Sequence, residues 1–210
     1  MKTARQLMEK VASGQITTGV LATDLLWPQL VEFLQGAAID YLIADQEHGT
    51  HADTLVAEVC ALGRQVDFPV LIRPVDTEAS TIRRAIDRGP CGLLLPTVES
   101  AAQLDGVRDS IWMPPRGKRR PGGPGNYWVK DFRYETWKAG VEDDFIVLPQ
   151  IESRAGLRSV AEIAAHEITS AMAIGPYDLS MELGVGAQMD HPDLMEAIER
   201  IRVAAAGAGK

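Results

Sequence analysis

Thiols are nearly absent from this chain: its 210 residues include two cysteines, Cys60 and Cys91. One falls on an expected helix and the other opens an expected strand, so both read as buried small hydrophobes. No apolar run approaches membrane-spanning length, so no membrane partner is expected. The N-terminal stretch is no signal peptide, because Glu9 and Lys10 interrupt any hydrophobic region. Without a secretory signal, a reducing cytoplasm is the expected location. Positive charge is in deficit too. The net charge of −8 argues against a general nucleic-acid or anionic-membrane binder. There is no Gly-rich dinucleotide fingerprint after the early strands and no P-loop. Lysine is confined to six positions, Lys2, Lys10, Lys118, Lys130, Lys138 and Lys210. None lies at the end of an expected strand, which disfavours Schiff-base chemistry.

What remains is an ordinary globular composition, 46% apolar and 24% charged, at a length that suits a single domain over residues 1–210. Met1 to Val11 patterns as an amphipathic helix with Ala4, Leu7, Met8 and Val11 on one face. From there strands and helices alternate. Strands are expected at Thr18–Ala22, Asp40–Ala44, Pro69–Ile72, Cys91–Pro96, Phe145–Ile151 and Thr169–Ile174. Between them run helical stripes: Leu30, Phe33, Leu34 and Ala37 after Pro28; Leu55, Val59 and Leu62; Ala79, Ile82 and Ile86. Further stripes follow from Ala101 to Val107, at Leu157, Val160, Ala161 and Ala164, and from Pro192 along Leu194, Ala197, Ile198, Ile201 and Ala205. This alternation predicts a parallel sheet with helical crossovers, and a spacing of about 25 residues per unit suits a TIM-type (β/α) barrel.

One segment breaks the rhythm. Residues 112–140 hold Pro114, Pro115, Pro121 and Pro124, five glycines and the basic run Arg116-Gly117-Lys118-Arg119-Arg120. A loop of this length in a compact domain is functional or disordered. Its basic cluster could meet an anionic substrate, but a subunit contact or solvated charge suits most of its members better.

The strand Phe145–Ile151 is the centre of the functional argument. After its apolar start, Gln150 and Glu152 alternate onto one side and Ile151 onto the other. A carboxylate at the end of a buried parallel strand is costly unless paired, and strand ends are where α/β folds build their sites. On this segment alone, a solvated Glu capping the next helix and a metal or substrate ligand are both open. Other polar groups fall at the same place on other strands: Asp45 and His48 after the second, Arg73 after the third, Asp178 after the sixth. Singly, Asp45 and Asp178 could be helix N-caps, Arg73 a rim salt bridge and His48 a backbone-bonded loop histidine. His51, His166 and His191 lie outside the strand ends and receive no role.

Together these residues make coherent chemistry. Glu152 and Asp178 offer two oxygen ligands with room for water and substrate, which suits Mg²⁺ or Mn²⁺ better than a closed zinc site. Arg73 can hold an oxyanion through paired N–H groups. Gly175-Pro176 could bring backbone N–H groups close to a carboxylate. His48 with Asp45 makes a proton-transfer pair in which the carboxylate fixes the imidazole tautomer.

Six motifs, in order and over nearly the whole chain, resemble one family. They are Asp45-Gln46-Glu47-His48-Gly49, Val70-Leu71-Ile72-Arg73-Pro74, Gly92-Leu93-Leu94-Leu95-Pro96, Pro114-Pro115-Arg116-Gly117, Gln150-Ile151-Glu152 and Gly175-Pro176-Tyr177-Asp178-Leu179-Ser180. The family is HpcH/HpaI, the metal-dependent class II pyruvate aldolases, whose members include 4-hydroxy-2-oxo-heptane-dioate aldolase. The resemblance implies a βα barrel and a divalent ion on Glu152 and Asp178, Mg²⁺ or Mn²⁺ with Co²⁺ as a third option. It also implies a pyruvate enolate held by Arg73, the Asp45–His48 pair in proton transfer, and Gln150 hydrogen-bonding near the keto acid. Tyr177, Arg120 and Gly49-Thr50-His51 depart from the residues common among such relatives and bear on the acceptor pocket.

The expected function is therefore that of a lyase, splitting a 4-hydroxy-2-oxo acid reversibly into pyruvate and an aldehyde, as a cytoplasmic homo-oligomer. Two alternatives stand beside it. One is a decarboxylase or other lyase of a 2-oxo acid working through the same enolate; the other is a truncated, non-catalytic barrel that works only in an assembly. A closed barrel needs eight strand–helix units where six are counted, and relatives would begin a seventh strand near Gly209-Lys210. The first and sixth strands are expected to flank a gap two strands wide, with unpaired edges and poor solution behaviour of residues 1–210 alone.

Overall fold

In a computed structural model of residues 1–210, which describes every residue except the side chain of Pro124, six parallel strands lie in chain order. They are β1 (Gly19–Ala22), β2 (Tyr41–Asp45), β3 (Val70–Arg73), β4 (Gly92–Leu95), β5 (Ile146–Ile151) and β6 (Ala173–Ile174). Each pairs in parallel with the next, and the sheet curls as an incomplete TIM-type barrel. The crossovers carry α2 (Leu30–Gly36), α3 (Asp53–Gln65), α4 (Ala79–Asp87), α5 (Ala101–Ile111), α7 (Arg154–Arg158) and α8 (Val160–Ala165). α1 (Lys2–Ala12) precedes the sheet, while α9 (Pro176–Leu183) and α10 (Pro192–Gly207) follow it.

Apolar runs become the central strands because both sheet faces are covered. β3 and β4 are buried at every position, with Leu71, Ile72, Leu93 and Leu95 fully enclosed. Burial of each such side chain contributes about 1.5–3 kcal/mol over leaving it in water. Cys60 and Cys91 join this core as free thiols, and burial pushes both up to about 12.

Several helical faces differ from the expected stripes. In α2 the inward residues are Leu30, Val31 and Leu34, which places Phe33, 70% exposed, and Ala37 on the outer side. In α3 the buried face runs through Val56, Val59 and Cys60, leaving Leu55 and Leu62 at its margin. Ala79 and Ala161 are exposed at positions expected to face inward. β6 is also shorter than expected. Thr169 turns back to bond the Ile163 carbonyl through its hydroxyl at 2.7 Å, and the Val147 N–H donates to Ser170 Oγ at 3.0 Å. Ser170 keeps one backbone bond, its N–H donating to the Val147 carbonyl at 2.9 Å, while the return bond goes to its side-chain hydroxyl, so no longer ladder forms.

The 112–140 segment is not a plain loop. It holds a 3₁₀ turn, Pro124–Asn126, the single-turn α6 (Tyr134–Trp137) and a π-helical turn, Lys138–Glu142; Pro124 itself lies outside the described side chains. Its basic run is tied down internally. Arg119, 1% exposed, donates to Asp87 at 2.8 Å and Asn126 at 3.1 Å and lies 5.0 Å from the Trp137 ring. Arg116 stacks on Trp112 and pairs with Asp143 at 3.2 Å, and Lys118 pairs with Asp109. None of these groups lines the cleft at the strand ends.

Candidate active site

Strand register places the first pair of polar residues. Asp45 and Arg73 are the last residues of β2 and β3 and are direct partners across that ladder. Their side chains therefore meet: Arg73 Nε donates to Asp45 Oδ1 at 2.9 Å and Nη2 to Oδ2 at 2.7 Å. Thr23, just past β1, donates its hydroxyl to Asp45 Oδ2 at 2.7 Å. Burial pushes the Asp45 carboxyl up, but the bonds from Arg73 and Thr23 outweigh it and hold the group below the ordinary carboxylate range.

This pairing revises two expectations. The fork of Arg73 is already engaged by Asp45, and its Nη1 lies 3.1 Å from Glu47 Oε2. The guanidinium is thus held in a fixed orientation with only its remaining N–H directions free. Asp45 meets His48 through the backbone N–H, at 3.4 Å, and not through the imidazole. The imidazole Nε2 instead lies 3.8 Å from Glu47 Oε2 with the side chain 63% exposed. An Asp–His side-chain dyad is absent because Arg73 is the stronger, bidentate claimant on the carboxylate.

The second group is built by β5. Period-two alternation puts Gln150 and Glu152 on one side, and Gln150 Nε2 donates to Glu152 Oε2. Glu152 is 7% exposed, and its other oxygen accepts from the Thr97 N–H at 2.6 Å and the Thr97 hydroxyl at 2.9 Å. Capping of the following helix falls to Ser153, whose Oγ accepts from the Gly156 N–H at 3.1 Å. Glu152 is thus free of that task. Gln150 Oε1 is buried without a hydrogen-bond partner, an arrangement that costs free energy unless a donor arrives.

Gly175, between β6 and α9, completes this group by its lack of a side chain. A Cβ there would stand 2.7 Å from Gln150 Nε2 and 2.8 Å from Glu152 Cβ, so only glycine admits this approach. Its N–H is spent on the Ile151 carbonyl at 3.1 Å, and Pro176 has none. Any backbone donors that Gly175-Pro176 brings toward a carboxylate are therefore those of the turn that follows, at the start of α9. Asp178 sits inside the first turn of α9, with Gly175 as the N-cap, so it is not itself the cap. The remaining histidines have local bonds: His51 to the Ala22 carbonyl at 3.0 Å, His166 near Asp105 at 3.4 Å, and His191 as N-cap of α10.

Glu152, Asp178 and His48 share one cleft of about 470 Å³ at the carboxyl ends of the strands. Arg73, Asp45 and Gln150 are buried residues outside its lining. Glu47, Thr97, Glu99 and Glu182, to which sequence reading gave no role, also line it. Glu47 lies in the bend just past β2; burial pushes its carboxyl up, Arg73 opposes that, and Glu152 adds to it. A larger cleft, about 530 Å³, lies at the opposite ends of the strands beside Asp144, Phe145 and Val147 and includes none of the strand-end residues.

No group of three or more His, Cys, Asp or Glu side chains suited to one ion occurs among the described residues. The pair Glu152 and Asp178 still fits a hard divalent cation that keeps open positions, since both are oxygen donors on one cleft and the amide bonded to Glu152 keeps a buried oxygen without a partner.

The sequence profile of the HpcH/HpaI aldolase/citrate lyase family matches residues 24–210. The chain belongs to that family. It is 32% identical over 209 residues to a hydroxypyruvate/pyruvate aldolase of Pseudomonas aeruginosa, spanning 96% of this chain and 76% of that one. It is 31% identical over 206 residues to a 2-keto-3-deoxy-L-rhamnonate aldolase of Shigella boydii, with the same coverage of 96% and 76%. The crystal structure of an HpcH/HpaI aldolase from Desulfitobacterium hafniense superposes with a TM-score of 0.88 at 26% identity, over 96% of this chain and 78% of that one. As a member of the HpcH/HpaI family the chain is a lyase of the aldolase class, and the family is generally divalent-metal-dependent.

Proposed function

We propose that this HpcH/HpaI member reversibly cleaves a 4-hydroxy-2-oxo acid to pyruvate and an aldehyde with Mg²⁺ or Mn²⁺, the ion held by Glu152 and Asp178. The observation that carries the reading is the Gln150–Glu152–Gly175 cradle, with its closely packed glycine and its unpartnered amide oxygen. A divalent ion there supplies Lewis-acid charge for the oxygen that becomes negative during cleavage. The residues do the rest. His48, exposed on the cleft, accepts the C4 hydroxyl proton. As that C–O becomes a carbonyl, the C3–C4 bond breaks and its electron pair moves toward the C2 oxygen, giving an aldehyde and the enolate of pyruvate. Arg73, fixed by Asp45, adds positive charge on that side. Gln150 Oε1 accepts from a hydroxyl or water beside the keto acid. Return of that proton from His48, directly or through water, to C3 completes pyruvate and frees the imidazole for another turn.

The chain is proposed to act as one domain and as a cytoplasmic homo-oligomer, with its free, buried thiols compatible with a reducing compartment. No described helix is long and apolar enough to cross a membrane.

The test is exchange of the pyruvate methyl protons with D₂O, followed by NMR. Exchange that requires Mg²⁺ or Mn²⁺ and stops on chelation is expected. Exchange that survives exhaustive chelation, or none in the complete metal-loaded protein, overturns the reading.

A further inference from the structure

Thr97 occupies an uncommon backbone conformation. It follows Pro96 at the end of β4 with φ at 46°, in the left-handed region that β-branched residues avoid. Three other described non-glycine residues have positive φ, namely Ala38, Asp67 and Ala187, and none of them lines the strand-end cleft. Thr97 does, and both of its donors converge on a single atom: N–H and Oγ1 reach Glu152 Oε1 at 2.6 and 2.9 Å. The turn is held in place from several sides. The Val98 N–H donates to the Gln150 carbonyl at 3.2 Å, Gln103 Nε2 to the Thr97 carbonyl at 3.2 Å, and the Glu99 N–H to Gln103 Oε1 at 3.0 Å. Strained conformations held by such surroundings cluster where strain serves a site.

The acceptor count of Glu152 gives the strain a purpose. A carboxylate has about four lone-pair positions. Two on Oε1 are taken by Thr97 and one on Oε2 by Gln150. One position on Oε2 is left, beside Gly175. We propose that Thr97 is a positioning residue: its hydroxyl and N–H together saturate Glu152 Oε1 and present Oε2 alone to the divalent cation. This rests on the metal-dependent reading above. At this left-handed turn the N–H and the side-chain hydroxyl of one residue meet on the same oxygen.

A merely structural Thr97 makes the opposite forecast. Thr97→Gly relieves the strained φ and would then leave cation binding as good or better. The experiment is Mn²⁺ titration of the full chain by calorimetry, with thermal melts of the metal-free proteins alongside. Thr97→Val, which keeps the shape and loses the hydroxyl, is expected to weaken Mn²⁺ binding by about 10–100-fold, the usual cost of losing a partner that orients a ligand. Thr97→Gly is expected to weaken it as well while melting at a higher temperature. Thr97→Ser is expected to restore affinity to near wild type. Wild-type affinity in Thr97→Val or in Thr97→Gly overturns the proposal and leaves the metal site standing. A wild-type protein that binds no Mn²⁺ overturns the metal-dependent reading, and the role of Thr97 with it.

Discussion

Two arginines are buried in this chain, and they do different work. Arg73 ends β3, is 7% exposed, and is gripped by Asp45 and by Glu47, a residue of the strand-end cleft. Arg119 lies in the 112–140 segment, is 1% exposed, and is enclosed by Asp87, Asn126 and the Trp137 ring. In sequence Arg73 stands at a strand end and is the expected oxyanion holder, while Arg119 stands in a run with Arg116, Lys118 and Arg120 that suits a subunit contact or solvated charge better than an anionic substrate. The structure keeps Arg119 away from the strand-end cleft and engages the fork of Arg73 with Asp45. A charge run solvates or pairs with whatever acid is near, and here it clamps a long segment onto α4 and α5. A single charge at the end of a doubly covered strand must be held by neighbouring strand ends, and that holding fixes its orientation.

The comparison breaks most severely at Glu152, the proposed ion ligand in the strand-end cleft. Glu152→Gln keeps the shape and the Thr97 bonds but halves the ligand charge. Pyruvate release should fall by about 10³-fold or more, as for other groups that stabilise the reacting oxygen, and Mn²⁺ affinity should collapse while the far-UV spectrum stays unchanged. Turnover within ten-fold of wild type would mean that the strand-end cleft is not where the reaction occurs.

Arg73→Lys comes next. A point charge cannot make the two bonds that now join Arg73 to Asp45, so turnover is expected to drop by about 10²–10³-fold, comparable to losing an oxyanion donor. A Lys variant within a few-fold of wild type would return Arg73 to the status of a rim ion pair. Arg119→Met is the matching change on the other side. It removes a buried partner of Asp87, with an expected cost of about 1–3 kcal/mol in denaturant unfolding, and turnover of the folded protein should stay within a few-fold. A large loss of turnover without loss of stability would erase the distinction between the two arginines.

Much of the site was legible because strand chemistry is periodic. The alternation of Gln150 and Glu152 put them together, and their contact follows from β5 alone. Asp45, Arg73, His48 and Asp178 were recognisable as strand-end polar groups. Which of them touch was not legible. Asp45 and Arg73 meet because of the β2–β3 register, a tertiary fact, and that register takes the carboxylate away from the His48 ring. Thr97 escaped notice for a similar reason: a left-handed threonine has no sequence signature. The outward turn of Phe33 is a smaller case, since Leu30, Val31 and Leu34 define an inner face as well as the expected stripe does.

The finest test of the contrast is the acid limb of stability. Asp45 is held below its ordinary pKa because the bonds from Arg73 and Thr23 exceed the cost of burial. In the unfolded chain the group titrates near about 3.9. Its contribution is therefore fully present above that pH and is lost as pH falls through the lower, folded value. Asp45→Asn removes the titration and the charge together. The variant should melt below wild type at neutral pH, and the gap should narrow as pH is lowered past about 4, because wild type is then losing what the variant never had. Melting curves between pH 7 and pH 3 at fixed ionic strength measure it, with an expected change in the gap of about 2–4 °C. Arg119→Met supplies the control, since it leaves Asp45 in place and its acid limb should follow that of wild type. A gap between Asp45→Asn and wild type that stays constant down to pH 3 would show that the carboxylate gains nothing from Arg73 on folding, and that the strand-end pair is no more preorganised than the charges of the 112–140 segment.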